Sequence, residues 1–205
     1  MDSVVQHLPE LALAGALAWG AGLRLYLVVA ALGLAGHLGW LPLPEHLQPL
    51  ASPVVIGAAG FMAAVELLAD KLPWIDSLWD ALQTFIRIPA GAALAAGVFG
   101  DSGAGIALAA ALLGGSVTAA THFSKAGARA AANTSPEPLS NLGLSLVEDA
   151  LVIGGGWLAV EQPLLFLVLL ATFLVVAALL LHVLVRGFRR LFRRTAAALQ
   201  ALGAP

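Results

Sequence analysis

Long apolar runs alternate along this chain with short polar or proline-rich interruptions. A membrane-spanning helix needs about 20 mostly apolar residues, and the interruptions divide the chain into six apolar runs. The pattern therefore predicts an all-α, polytopic membrane helix bundle of about six spans. The predicted spans cover roughly residues 11–36, 54–69, 88–100, 104–121, 142–160 and 164–185.

The third run is preceded by an amphipathic stretch, "DSLWDALQTFIRIPAG". Its polar side chains recur at steps of four, four and three residues, which places them on one helical face. They are Asp76, Asp80, Thr84 and Arg87. Pro73 suits a helix start and Pro89 suits a kink or break. Two interpretations follow: a broken or re-entrant helix near residues 73–89, or an amphipathic helix on the membrane surface.

The two halves of the chain resemble each other weakly. "PEHLQPL" from Pro44 parallels "PEPLSNL" from Pro136, each after the first span of its half. Three spans per half would invert the second copy, which is the plan of many secondary transporters. The sequence thus predicts one membrane domain over 1–205. Its 3+3 inverted repeat would comprise 11–100 and 104–188, and a basic cytoplasmic tail would occupy 186–205.

Composition supports the membrane class. The chain is 60% hydrophobic and 11% charged, whereas soluble domains carry about 25% charged residues. The absence of cysteine excludes thiolate metal sites and cysteine nucleophiles. No nucleophile–base set or zinc-protease motif stands out, so we expect no enzyme and no cofactor. The basic tail is short and lacks an aromatic platform, so we expect no nucleic-acid partner.

The basic residues favour one orientation. Lys71, Lys125 and Arg129 follow the even-numbered spans, as does the arginine-rich tail from Arg186. The opposite connections carry acids but no Lys or Arg. Under the positive-inside rule, six spans would place both termini in the cytoplasm. We expect a multi-pass protein of a bacterial cytoplasmic (inner) membrane.

Several charged residues fall inside apolar runs, where one charge costs roughly 2.5–3.5 kcal/mol on insertion scales. Glu66 has apolar neighbours on both sides, and Glu148 lies in "SLVEDAL". Asp70 is interpreted as a helix end emerging into water. The acids line a polar cavity in one interpretation and form structural salt bridges in the other. The predicted substrate- or ion-binding residues are Glu66, Asp76, Asp80, Thr84, Arg87, Arg24, Lys125, Arg129, Asn133, Ser135, Glu137, Asn141, Glu148 and Asp149.

Three motifs, "WDALQTFIRIPAG", "NTSPEPLSN" and "SLVEDAL", carry a resemblance. With them, the chain resembles a bacterial domain-of-unknown-function family of small integral membrane proteins over about residues 11–185. The resemblance implies a multi-span α-helical membrane protein. It implies no established activity, so function depends on the residues.

The favoured hypothesis is a small transporter or permease for an ion or small charged solute. Oxygen ligands fit Mg²⁺, Mn²⁺ or a proton. The arginines fit a phosphate or carboxylate group, including that of a lipid headgroup. The alternative is a non-transporting scaffold or assembly factor whose buried charges are structural ion pairs. Beyond the lipid bilayer, the glycine-rich spans are compatible with a homodimer, and the identity of any bound metal stays open.

Overall fold

The computed structural model describes residues 6–132 and 138–202. Within these ranges, the side chains at 73, 74, 76, 77, 130–132, 138–142, 183–185 and 187–202 lie outside the description. The described residues form α-helices joined by turns and two short 3₁₀ helices, with no strand among them. The helices are α1 (Leu8–His37), α2 (Pro53–Ala69), α3 (Pro73–Val98), α4 (Ala104–Ala132), α5 (Pro138–Glu161) and α6 (Pro163–Leu202), and the 3₁₀ helices are Glu45–Ala51 and Gly100–Ser102.

Five helices are long and apolar enough to cross a bilayer. The segments Leu8–His37, Leu78–Val98, Ala104–Arg129, Gly143–Glu161 and Pro163–His182 meet this criterion. Glu45–Ala51 and Pro53–Ala69 form a bent pair at 69°, which raises the number to six if the pair counts as one span. The predicted polytopic helix bundle of about six apolar segments is confirmed.

Local sequence explains where these helices begin. Prolines stand at the first position of α2, α3, α5 and α6, where the missing N–H costs nothing. Ser52 caps α2 by accepting a hydrogen bond from the Val55 amide at 3.4 Å. Gly103 adopts a positive φ of 95° just before α4, a conformation that side chains with a Cβ rarely tolerate. The sharp turn between α3 and α4 therefore depends on a glycine.

The first helix is interrupted at Arg24. This residue has non-helical angles, with φ −147° and ψ 73°. A Cβ on Gly20 would lie 2.7 Å from the side chain of Val28, although eight residues of straight helix would separate the two by about 12 Å. Pro9 near the start of α1 and Leu41 beyond its end line the same cavity. The arms 8–23 and 25–37 therefore fold back on each other, and Arg24 occupies the tip of this hairpin.

The interruption does not fall where the sequence suggested. α3 is one helix from Pro73 to Val98, with Pro89 inside it, so the broken or re-entrant helix predicted near 73–89 is not observed. Proline removes one backbone hydrogen bond and bends a helix, but packing of the whole helix face offsets that loss. Arg87 is fully buried on that face while Phe85 is exposed, so the helix is not a surface helix either.

α1 is the central element and contacts each of the other five helices. Small residues allow the close approach: a Cβ on Gly22 would lie 2.7 Å from the Thr118 carbonyl oxygen. Such small-residue contacts are typical of helix packing in membranes. On the side of Arg24 that the arms occupy, an apolar cluster fills the space between helices. Its buried members include Leu25, Val28, Leu32, Leu94, Val98 and Phe99.

Candidate functional site

Charged side chains from five helical segments converge around the tip of α1. We call them the charge network and define it by nine residues in mutual ionic contact. α1 gives Arg24, α2 and its C-cap give Glu66 and Asp70, α3 gives Asp80 and Arg87, α4 gives Lys125 and Arg129, and α5 gives Glu148 and Asp149. All are buried except Asp149, whose side chain is 32% exposed.

Arg24 contacts carboxylates from two other helical segments. Its Nη1 lies 2.6 Å from Asp70 Oδ2 and its Nε lies 2.8 Å from Asp149 Oδ1. Its Nε also approaches Glu148 Oε2 at 3.4 Å, and Nη2 donates to the Ser145 carbonyl oxygen at 3.3 Å. The hairpin tip is thus held through its own side chain by α5 and the end of α2.

Glu66 is the acidic centre of the neighbouring part of the network. Arg87 Nη2 donates directly to Glu66 Oε1, and Lys125 Nζ lies 3.5 Å from the same oxygen. Lys125 Nζ also lies 3.3 Å from Glu148 Oε2 and 3.9 Å from Asp80 Oδ1. This lysine therefore links carboxylates of α2, α3 and α5.

Arg129 makes a bidentate ion pair with Glu148. Its Nε and Nη2 donate to the two carboxylate oxygens at 3.1 and 2.7 Å. Nη2 also lies 3.2 Å from Asp70 Oδ2 and 3.0 Å from Ser145 Oγ, and that hydroxyl donates to Asp70 Oδ2 at 2.8 Å. Charge-assisted bidentate contacts fix orientation as well as charge, so α4 and α5 are locked in register here.

Backbone carbonyls beside the break also face cations. Lys125 Nζ donates to the Leu23 carbonyl at 2.9 Å, and Arg87 Nη1 approaches the Gly22 carbonyl at 3.4 Å. The non-helical angles at Arg24 interrupt the helical hydrogen-bond pattern, so carbonyl groups before the break become available to side chains. In membranes such irregular backbone is tolerated where protein or a polar cavity surrounds it.

His122 lies at the edge of the network. Its Nε2 is 2.7 Å from Thr84 Oγ1, and its Nδ1 is 3.3 Å from Arg87 Nη1. A guanidinium only donates, so Nδ1 accepts, Nε2 carries the proton and the imidazole is neutral. The Thr84 hydroxyl donates a hydrogen bond to the Asp80 backbone carbonyl oxygen at 3.0 Å.

Nine of the predicted site residues meet in this one region. They are the charge network without Asp70, together with Thr84 at its edge, and sequence analysis had placed them in separate clusters. Asn133, Ser135 and Glu137 lie outside the described residues, and the side chains of Asp76 and Asn141 lie outside the described side chains. For those five, the prediction stays a prediction.

Asp70 corrects an interpretation made from the sequence. It was taken as a solvated helix end, yet it is 1% exposed and contacts Arg24, Arg129 and Ser145. It caps α2 with helical angles, so it continues the face that carries Glu66 four residues earlier. The spacing of four residues from Glu66 was the signal that could have identified Asp70 as a site residue. His122 and Ser145 were also missed as site residues, although each shares a helix face with predicted members.

Some buried atoms in the network and beside it have no hydrogen-bond partner in the described part of the protein. In the network they include the carboxylate oxygens Glu66 Oε2 and Asp70 Oδ1 and the donors Arg24 Nε and Arg87 Nε, and beside it the amide oxygen Gln83 Oε1. An unpaired buried polar atom costs about 1–3 kcal/mol. Among the described residues, no group of three or more His, Asp or Glu is arranged to hold a metal ion.

Two cavities lie away from the network. One, of about 350 Å³, is an apolar groove between Trp19, Phe166 and Phe173. The other, of about 440 Å³, lies at the end of the bundle where Pro9, Leu41 and Asp101 meet. Neither is lined by a member of the charge network, so the buried charges do not belong to these cavities.

The fold and this site define a polytopic α-helical membrane protein with a buried ionic network at a broken helix. The chain belongs to a family described as "Domain of unknown function (DUF4126)", whose model matches residues 11–183. Neither a curated protein nor a solved structure gives a significant match. The match confirms the resemblance to a family of unknown function and assigns no activity.

Proposed function

We propose that this protein is a small transporter or permease that moves an ion or small charged solute through the bundle at the charge network. The observation that carries the proposal is the hairpin tip of α1. Arg24 interrupts a buried helix and its side chain enters a network of carboxylates from α2 and α5. Broken helices that present side chains and backbone groups to a buried polar site are a recurring device of membrane transporters.

Energetics favour a functional purpose for so many buried charges. Replacing a buried ion pair by well-packed apolar residues is often neutral or stabilising, by about 1–4 kcal/mol in the cases studied. A network of nine charges is therefore a costly way to join helices that could pack through Leu, Ala and Gly. Intramembrane ionisable groups of this kind commonly mark ion or substrate pathways.

A scaffold remains the second candidate because of one specific observation. Glu148, Asp70 and Glu66 each contact at least two cations. Structural ion pairs would show the same pattern. In this alternative the charges lock α4 and α5 against the tip of α1, and no solute passes.

The basic residues suggest how the bundle sits in a bacterial inner membrane. Exposed Lys71, between α2 and α3, and Arg186 in α6 belong to the end of the bundle opposite the cavity at Pro9 and Leu41. Under the positive-inside rule that end would be cytoplasmic. Since α1 folds back, the proposal places the beginning of α1 on the outer side, unlike the arrangement expected from six straight spans. The charge network would then lie nearer the cytoplasm.

Other features of the hypothesis stay predictions. Three α-helices precede and three follow Gly100–Ser102, but α1 folds back at Arg24, so the helix count does not support the 3+3 inverted repeat, which stays a prediction. We also propose that the protein is not an enzyme. The Ser145 hydroxyl is used by Asp70, and the described partners of His122 are Thr84 and Arg87, so these residues do not form a nucleophile–base pair. Homodimer formation is untested.

Reconstitution in liposomes tests transport directly. Flux of protons, Mg²⁺, Mn²⁺ and organic anions would be measured for the wild type, Glu148→Gln and the matched control Glu161→Gln, which alters an exposed carboxylate of the same helix. We expect flux of one solute class that falls at least tenfold in Glu148→Gln and is kept in Glu161→Gln.

A charge swap distinguishes the scaffold hypothesis from transport. Exchanging the partners as Arg129→Glu with Glu148→Arg keeps an ion pair between α4 and α5. The scaffold hypothesis expects the swap to fold better than either single variant, because the direct ion pair is regained, with no solute flux in any variant. Transport expects the swap to remain inactive even when it folds, because the other contacts of these groups are reversed in sign.

A further inference from the structure

The charge network contains more negative than positive groups. Its described members comprise five carboxylates and four cations: Glu66, Asp70, Asp80, Glu148 and Asp149 against Arg24, Arg87, Lys125 and Arg129. The neighbouring His122 is neutral by its hydrogen bonds to Thr84 and Arg87. In sequence, the undescribed side chains at 73, 74, 76, 77 and 130–142 include Asp76 and Glu137 but no Lys or Arg, whereas those at 187–202, toward the end of α6, include Arg189, Arg190, Arg193 and Arg194.

A net negative charge inside a bilayer is unfavourable, so the excess calls for one positive charge. Buried atoms without a hydrogen-bond partner in the described part of the protein include three acceptors, Glu66 Oε2, Asp70 Oδ1 and Gln83 Oε1, and three donors, Arg24 Nε, Arg87 Nε and Trp79 Nε1. These atoms favour neither sign of ligand. The excess of carboxylates over cations favours a proton over an anionic ligand. A divalent metal is disfavoured because the described carboxylates already face guanidinium or ammonium groups and form no metal-binding group.

Among the described carboxylates of the network, Asp149 has the fewest contacts with cations. Its described ionic contact is with Arg24 Nε at 2.8 Å, and that guanidinium also contacts Asp70 at 2.6 Å and Glu148 at 3.4 Å. Asp149 thus shares its one described cation with two other carboxylates, both of which contact further cations. The other charged groups around Asp149 are the adjacent Glu148 on α5 and, further away, Asp70 and Lys125. α6 contributes no charged residue between 163 and 181.

Asp149 is also the accessible member. Its side chain is 32% exposed, whereas those of Glu66 and Asp70 are each 1% exposed. A proton can therefore reach Asp149 from outside the protein without crossing the interior of the network. When the carboxylate is neutralised, four carboxylates face four cations, and Arg24 Nε keeps only the longer contact with Glu148.

We propose that Asp149 binds and releases one proton, and that this proton is the coupling ion of the transporter. The link between the proton and transport rests on the proposed function, whereas the proton site itself rests on the geometry. Since Arg24 is the tip of the α1 hairpin, protonation of Asp149 weakens one of the contacts that hold the tip against α5. The coupled element is thereby the hairpin itself.

Infrared difference spectroscopy on the reconstituted full chain tests the proton site without knowledge of the substrate. The C=O stretch of a protonated carboxyl group would be followed through a pH titration at low and at high Na⁺. Exposed carboxylates such as Glu161 also titrate, so the signal of Asp149 is the difference between the wild type and Asp149→Asn. We expect that difference to contain one titrating band, which returns at a shifted frequency in Asp149→Glu and persists in the exposed-site control Glu161→Gln. A difference spectrum without a titrating band, or a difference band that Na⁺ abolishes, would overturn the inference.

The same liposomes keep the two proposals separate. A solute flux that stays independent of an imposed pH gradient, or that Asp149→Asn leaves unchanged, would refute proton coupling while leaving transport intact. An Asp149 band with no flux for any solute tested would keep the proton site and refute transport. Flux that rises with the pH gradient and loses that dependence in Asp149→Asn would support both.

Discussion

The arms and the tip of the α1 hairpin pack against their neighbours through opposite kinds of contact, apolar in the arms and ionic at the tip. Along the arms, Leu25, Val28 and Leu32 pack against α3 in an apolar cluster. At the tip, one residue away, Arg24 meets carboxylates from α2 and α5. The arms need only shape and apolar surface, which many sequences supply. The tip needs specific partners from several helices at once, so its residues are the less replaceable ones.

The comparison also explains why the helix breaks where it does. A buried arginine must bring its guanidinium to several acceptors, and a straight helix would fix the direction of the side chain. The non-helical angles of Arg24 and the small residue Gly22 beside it let the tip approach Thr118 and α4 closely. The local interruption is thus a consequence of where the charged partners lie.

Removing the tip charge should have the largest effect. In Arg24→Leu, Asp70 loses its 2.6 Å partner and Asp149 loses its described cation. Breaking a buried ion pair by removing one partner typically costs about 3–5 kcal/mol. We expect unfolding in detergent to shift accordingly, as measured by circular dichroism in a denaturant titration. Arg186→Leu, at an exposed position of α6, is the control; equal shifts in the two variants would contradict a special role for the tip.

A change in the arm next to the tip should have a smaller effect. Leu25 is 3% exposed and belongs to the apolar cluster. Truncation to Ala removes buried methyl groups and leaves a cavity, which costs about 2–5 kcal/mol in soluble cores. Because lipid is as apolar as the core, we expect the lower end of that range. The same titration measures it, and solute flux should be retained; flux lost as completely as in Glu148→Gln would erase the distinction between arm and tip.

The edge of the network should be least sensitive. Thr84→Val keeps the shape of the side chain but removes the hydroxyl between His122 and the Asp80 carbonyl. A single buried hydrogen bond of this kind contributes about 1 kcal/mol. We expect a small loss of stability and a fold otherwise unchanged, whereas Thr172→Val, at an exposed threonine of α6, should have no measurable effect. A loss as large as that of Arg24→Leu would place Thr84 among the central residues.

Sequence patterns located most of the site but not its assembly. The polar face of α3 and the acids of α5 followed from helical spacing, and Arg24 and Glu66 stood out because their neighbours are apolar. The sequence did not indicate which arginine contacts which acid. Spacing along one helix says which residues share a face, but the pairing of faces depends on how five segments pack. Asp70 illustrates the limit, since a residue at a helix end is solvated or buried according to what lies beside it.

The chain by itself determined the membrane class, the positions of its apolar helices and the polar residues that interrupt them, because these depend on local composition and helical periodicity. Only the tertiary structure decided that α1 folds back at Arg24 while α3 continues through Pro89. A buried charge that needs partners on other helices can make a break favourable, and packing along a whole face can offset a proline. Both balances depend on neighbours that no single stretch of sequence contains.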